Sequence, residues 1–402
     1  MTSTDAETPA EAQAEAEESA RMSLIRGDAL WRFQRMLGII PKSGLGVFRR
    51  AIMVAAITWV PIAVWAYLRG RALGGVPEPL LAHFGIHVRL LLAVPLMIFA
   101  EALGHSILPR VVPYFLTSGV LPPSEEPRFR SILSGMLKLR DNTLPWVFII
   151  AIVVAITFSS PDSFSAHEMD WAQEGATRTL GFGGKWFIYV GRPVFLALLL
   201  GWIWRLILVA ILLRKISRLK LSLVASHPDC SGGLGFLELM PAMFSPIVFS
   251  LSALLASHWS HRIVYHGAKL LELKVEMIAF LIILIVIFLA PYFVFFGPLR
   301  KAKRAAELEY GALVGAHGRM VRQKWIEGLD VVDEKGLLGA PEMGPVADHI
   351  SMFQAVERMR AIPIGKRAVM SVVIPAAIPL LVVISLQIPI KDVLLGLVKA
   401  IA

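Results

Sequence analysis

The sequence predicts an all-α polytopic transmembrane bundle of about seven spans, carrying a cytoplasmic helical hairpin. Three observations predict it. Seven stretches of mostly apolar residues recur along the chain, each near the roughly 18–25 residues a helix needs to cross about 30 Å of hydrocarbon. Hydrophobic residues make up 56% of the 402 and charged residues only 17%, against about 25% charged in soluble domains; a water-soluble fold of that composition would leave apolar surface in water. The Lys and Arg residues gather in alternate connecting segments, the pattern that orients membrane proteins.

Residues 1–20 are rich in Ala, Glu, Thr and Ser and contain no Lys or Arg. That composition predicts a disordered acidic tail and not a signal peptide, whose first region is basic. Residues 21–50 form a basic juxtamembrane segment ending in Arg49 and Arg50. The first span covers residues 51–68. The second, about 90–109, contains Glu101 and His105, and the third, 143–160, follows Asp141 and Asn142 as capping residues. The fourth, about 193–213, encloses Arg205; the fifth covers about 240–256, and the sixth, 277–296, has no charged residue. Residues 51–299 thus make a six-span membrane bundle.

Residues 300–367 form the hairpin: 300–328 continues the sixth span as a projecting helix, a Gly/Pro-broken stretch at 336–345 ends it, and 346–360 returns. Residues 368–402 hold the seventh span, 368–389, and an amphipathic tail at 391–402 suited to a membrane surface. Pro375 and Pro379 predict a kinked helix or a re-entrant turn in that span.

With the N-terminus cytoplasmic, 28 of the 40 Lys and Arg residues fall on the cytoplasmic side and 11 on the other, with Arg205 inside a span. The outer loop before Trp186 also carries Asp162, Glu168, Asp170 and Glu174. The net charge of +10 is spread between apolar runs, so the expected partners are the bilayer and anionic lipid headgroups and not nucleic acid. The lone Cys230 allows no internal disulfide. The hairpin, 300–367, is also a candidate surface for self-association or for a protein partner.

Three groups of residues can carry chemistry. Ionisable side chains inside a span cost at least ~2.5–3.5 kcal/mol at the bilayer centre and so need a partner. Counting from the starts of their spans places Glu101 and Arg205 at nearly equal depth, about 16 and 18 Å, which predicts an ion pair with His105 one turn beyond on the same face. Such a set can serve a proton or ion pathway, or can fix helix register without ever titrating.

The second group is the cytoplasmic loop 226–237, SHPDCSGGLGFL. His227, Pro228 and Asp229, followed by Gly232, Gly233 and Gly235, predict a tight turn: Pro fixes one dihedral, and the glycines admit positive φ. The run lacks the Lys-Ser/Thr of a phosphate-binding P-loop. His227 and Asp229 are expected to cap or bridge, with Phe236 and Leu237 re-entering the membrane. The HPD tripeptide also occurs in the chaperone J-domain, but here the following segment enters a span instead of a packed third helix. The loop resembles that of a group of bacterial polytopic membrane proteins with an HPD-x-x-GGLGFL string before a membrane helix. The resemblance implies a bacterial cytoplasmic (inner) membrane location and no nameable activity.

The third group is histidine. Six of the ten, His83, His87, His167, His258, His261 and His266, fall on the predicted outer side. Imidazoles suit zinc, copper or haem iron, so His83, His87, His258, His261 and His266 are candidate metal ligands. No carboxylate or Cys completes a recognised motif with them, and they meet only if the first outer loop lies against the fifth span. Trp146, Trp186, Trp202, Trp204, Trp259 and Tyr189 read as an interfacial aromatic belt. No catalytic triad, carboxylate pair or di-iron helix pattern stands out, and no cofactor is specified.

Three function classes follow: a solute or ion transporter or channel using Glu101, His105 and Arg205; a non-transporting scaffold or assembly factor acting through residues 300–367; and a metal- or haem-bearing redox protein.

Overall fold

In hydrocarbon every backbone N–H and C=O must be paired inside the protein, and a helix does this within one segment. Seven helical segments are long and apolar enough to cross a membrane. The computed structural model describes residues 32, 35, 36, 38, 46–159, 171–174, 179–329 and 344–388. The acidic tail, His167, most of the hairpin break at 336–345 and the amphipathic tail at 391–402 lie outside these residues.

In chain order the helices are α1 (Val47–Leu68), α2 (Phe84–Thr117), α3 (Glu126–Asp141), α4 (Leu144–Ser159) and α5 (Phe182–Ile216). A 3-10 segment, Gly235–Phe244, leads into α6 (Ser245–His266). Then come α7 (Leu270–Leu289), α8 (Phe296–Val321), α9 (Gly344–Arg358) and α10 (Lys366–Ser385). The spans are α1, α2, α4, α5, α6, α7 and α10. A two-residue ribbon pairing Gln173–Glu174 with Thr179–Leu180 is the sheet among the described residues.

Successive spans alternate in direction. One end of the bundle, here the basic end, gathers the start of α1, helix α3, the 217–234 loop and the hairpin α8–α9. The opposite end gathers the 69–83 loop, the small ribbon and the α6–α7 turn, where Gln387 accepts from the Leu270 N–H and donates to the Ala268 carbonyl. The main core lies between α2, α5, the 3-10 segment and α6, and extends into α8 through Leu299 and Ala306. Helix α4 sits at the periphery: it buries Trp146, Ile149 and Val153 and turns Phe148, Ile150 and Phe158 outward.

Spans two and four begin at Phe84 and Phe182, earlier than the apolar runs at 90 and 193. In each, a π-helical turn, Val88–Ala93 or Phe187–Gly191, lies just before Pro95 or Pro193. The wider turn is where the ladder adjusts to a residue without an N–H. Helix α3 was not evident from hydropathy. It is amphipathic, burying Phe129, Met136 and Arg140 along one side. Asn142 Oδ1 accepts from the Leu144 N–H at 2.9 Å, capping α4.

Helix α10 neither re-enters nor breaks; it is continuous through both prolines. Pro375 cannot donate to the Ser371 carbonyl, and Ser245 Oγ of α6 donates to that oxygen instead at 2.6 Å. Ser252 Oγ donates to Ala376 O at 2.6 Å, a second bond between α6 and α10 at a carbonyl no proline frees. Pro61 in α1 leaves Ile57 O in the same position, and the Trp186 indole N–H donates to it at 3.1 Å. Several expected belt aromatics turn inward: Trp146, Trp202 and Trp259 are all buried.

Ser245→Ala is expected to destabilise the bundle by about 0.6–1.7 kcal/mol, the range for interhelical hydrogen bonds in lipid. In a Pro375→Ala background the cost should shrink, because the restored Ala N–H then serves Ser371 O. A double-mutant cycle on unfolding in detergent or bicelles measures the coupling.

Candidate functional site

Glu101 lies on α2 with 1% of its surface exposed. Arg205 Nη2 of α5 donates to its Oε1 at 3.3 Å, and Arg50 Nη1 of α1 donates to its Oε2 at 2.7 Å. Both guanidiniums are buried as well, at 2% and 1%. Arg205 stands 4.7 Å from the Trp202 ring centroid, and the Trp202 indole N–H donates to Met97 O on α2 at 2.8 Å. Three helices are thus joined through one carboxylate, which has each oxygen engaged. His105 follows one turn further along α2, half-buried.

Because α2 starts at Phe84, Glu101 is about 26 Å from its opposite end, not 16 Å. Arg50 immediately precedes the apolar run of α1. Glu101 and Arg205 each stand nine positions before the next arginine of their own helix, Arg110 and Arg214. Arg50 was missed because it adjoins Arg49 and reads as a flanking charge; Arg49 is exposed while Arg50 is buried.

The loop before α6 is built around Asp229. Its Oδ1 accepts from the Ser231 N–H at 2.7 Å and the Gly233 N–H at 3.2 Å, and its Oδ2 from the Gly235 N–H at 2.7 Å. Gly232 and Gly233 take φ of 65° and 94°, a region that disfavours a side chain. A Cβ on Gly235 would lie 2.8 Å from Asp229 Cβ. Burial pushes the Asp229 carboxyl up, but the three amides and the nearby His227 outweigh it and hold the group below its ordinary value. His227 Nδ1 lies 2.9 Å from Oδ1 and 3.2 Å from the Asp229 N–H. Unprotonated, that nitrogen accepts the amide; protonated, it pairs with the carboxylate. A cavity of about 390 Å³ opens beside the loop, lined by Arg110, Tyr114, Ser118, His227 and Asp229.

Re-entry follows as expected: Leu237 is fully buried, and Phe236 packs edge-on against Tyr114 and Phe115 of α2. The loop is also the seat of the hairpin. Arg360 donates through its backbone N–H to Cys230 O at 2.8 Å, and through Nη2 to Asp229 O at 2.9 Å and Glu238 Oε1 at 2.8 Å. Lys303 Nζ of α8 donates to Glu357 O and Met359 O, closing the C-terminal end of α9. Arg360 and Lys303 carry no local motif, so the sequence hides this junction between segments over a hundred residues apart.

At the opposite end the first loop does lie against α6. The rings of His83 and His261 stack with centroids 5.7 Å apart, and His266 meets His261 at 5.4 Å. Glu78, absent from the sequence argument, points into the group, its Oε2 3.4 Å from His261 Nε2 and 3.7 Å from His83 Nε2. His87 stands apart: its Nδ1 accepts from the Trp59 indole at 3.0 Å, and its Nε2 lies 3.0 Å from Leu80 O. That leaves neither nitrogen open to a metal. His258 is exposed and lines a cavity of about 110 Å³ with His83 and His261. Stacked imidazoles and so small a cavity leave no room for a haem between them.

No family model, no curated protein and no solved structure matches this chain.

Two outcomes test these sites. Replacing Glu101 with Leu leaves two buried guanidiniums without their counter-charge and is expected to cost about 3–5 kcal/mol, read as a lowered unfolding midpoint of the purified protein. A carboxyl held below its ordinary value stabilises the fold above the unfolded value of about 3.9 and loses that contribution as pH falls through the folded one. Hydrogen-exchange protection of the Ser231, Gly233 and Gly235 amides should therefore be flat from neutral pH down to about 5, once intrinsic exchange is corrected for, and collapse below about 4. In Asp229→Ala it should be absent at every pH.

Proposed function

We propose that this chain is a membrane scaffold or assembly factor that works through the α8–α9 hairpin, in a bacterial cytoplasmic membrane with its basic end inside. The observation that carries the reading is a hairpin locked at its base, with apolar side chains left exposed along α8 and its extension. At the base, Leu299, Ala306, Val356 and Met359 belong to the bundle core, and Arg360 and Lys303 pin the return segment. Beyond Ala306, α8 and the π-turn that extends it to Ile326 run about 30 Å.

Along α8 and its extension, Leu308 and Ile326 are each 77% exposed and Trp325 65%, with Arg319, Arg322 and Lys324 on the same stretch. Apolar side chains held in water on a rigid arm mark an interaction surface. The mixed basic and apolar character fits a protein presenting an acidic rim around an apolar patch, and a second copy of the chain is the alternative occupant.

Transport through Glu101, with His105 beside it, is the second reading, favoured by the charged cluster itself. A proton or ion pathway needs water at the carboxylate, and both Glu101 oxygens are taken up in a sealed contact. The scaffold reading is preferred on that ground.

A photo-crosslinking residue placed at position 325 of the full-length chain tests this in cells. One discrete adduct that disappears with Ile326→Glu is expected. The reading fails if no discrete adduct forms while purified protein in vesicles supports a flux that Glu101→Gln abolishes without loss of folded protein.

A further inference from the structure

We infer that Glu78, His261 and His266, with His83 beside them, form a binding site for a divalent transition-metal ion of the zinc class at the opposite end of the bundle. The Nδ1 or Nε2 of the two histidines and a carboxylate oxygen of Glu78 lie within 4.8 Å of one another. Four ligands at about 2.0–2.1 Å around a tetrahedral ion stand about 3.4 Å apart. The Glu78 Oε2 to His261 Nε2 separation is already 3.4 Å, and that to His83 Nε2 is 3.7 Å. One edge of a coordination polyhedron is thus in place before any ion arrives, with His83 just outside it.

Local structure explains the convergence. Glu78 comes from the loop 69–79, which the Arg71 and Ala72 carbonyls tie back to the Leu80 and Leu81 amides. His83 precedes α2, and its ring is buried. His261 and His266 lie in the last turns of α6, which Gly267 ends at φ 65°. Two segments far apart in the chain, the 69–83 loop and the end of α6, therefore deliver nitrogen and oxygen donors to one point. Exposed His266 needs the largest adjustment, and its position at a helix end permits it.

Imidazole and carboxylate donors without thiolate select zinc, copper, nickel or cobalt over calcium or magnesium. The adjoining cavity of about 110 Å³, lined by His258, Ser257 and Arg89 as well as His83 and His261, leaves space for water or a small anion as an exogenous ligand, the arrangement of an open site and not of a closed structural one. The assignment is independent of the hairpin reading, because it lies at the other end of the bundle.

The test uses full-length protein without a histidine tag, stripped with chelator and titrated with zinc alone in detergent. One ion per chain is expected, with binding weakened at least about tenfold in Glu78→Gln and in His266→Asn. The exposed His266 makes the second variant safe for folding. Cobalt in place of zinc should give the intense visible absorption of a four-coordinate ion, lost in the same variants. His227→Asn, at the basic end, should bind like the parent. Absence of stoichiometric zinc, or zinc retained unchanged in His266→Asn and Glu78→Gln, overturns the assignment.

Discussion

Everything in this bundle answers to the scarcity of hydrogen-bond partners in lipid. A helix meets that demand for its own backbone, but each interior proline cancels one donor and strands one carbonyl four residues back. At Pro61 and Pro375 the stranded oxygen receives a donor from a neighbouring helix, the Trp186 indole and the Ser245 hydroxyl. The prolines thereby specify which helices must be adjacent, since neither α1 nor α10 is satisfied alone.

The same scarcity shapes the charged cluster. A carboxylate that served one guanidinium would leave an oxygen wanting; Glu101 serves two, from helices on either side. It acts as a three-way joint between α1, α2 and α5.

The spans were legible because oily length is a one-dimensional property. So were the turn at Asp229 and the pairing of Glu101 with Arg205, although the equal depths counted from hydropathy do not hold: the helices start at Phe84 and Phe182, so the two residues stand at different distances from them. What escaped depends on three-dimensional neighbours. Arg49 and Arg50 are chemically identical in sequence and differ only in which way the helix turns them. Glu78 sits in a Gly- and Pro-rich loop with no period to place it, and Arg360 reaches Asp229 across 131 positions. Helix α3 escaped hydropathy because its six charged residues lower the mean of the whole segment.

The seating of α10 has a consequence for how the chain is made. Span six is complete at Leu289 and span seven begins at Lys366, so a ribosome adds roughly 75 residues between them, several seconds of synthesis at about 5–20 residues per second. Throughout that interval the groove on α6 that receives the last helix is vacant, with the Ser245 and Ser252 hydroxyls facing lipid or water. Biogenesis of this protein thus passes through a six-helix intermediate with an open seam, and closing it falls to the final helix, whose own proline-freed carbonyl brings the acceptor that Ser245 lacks.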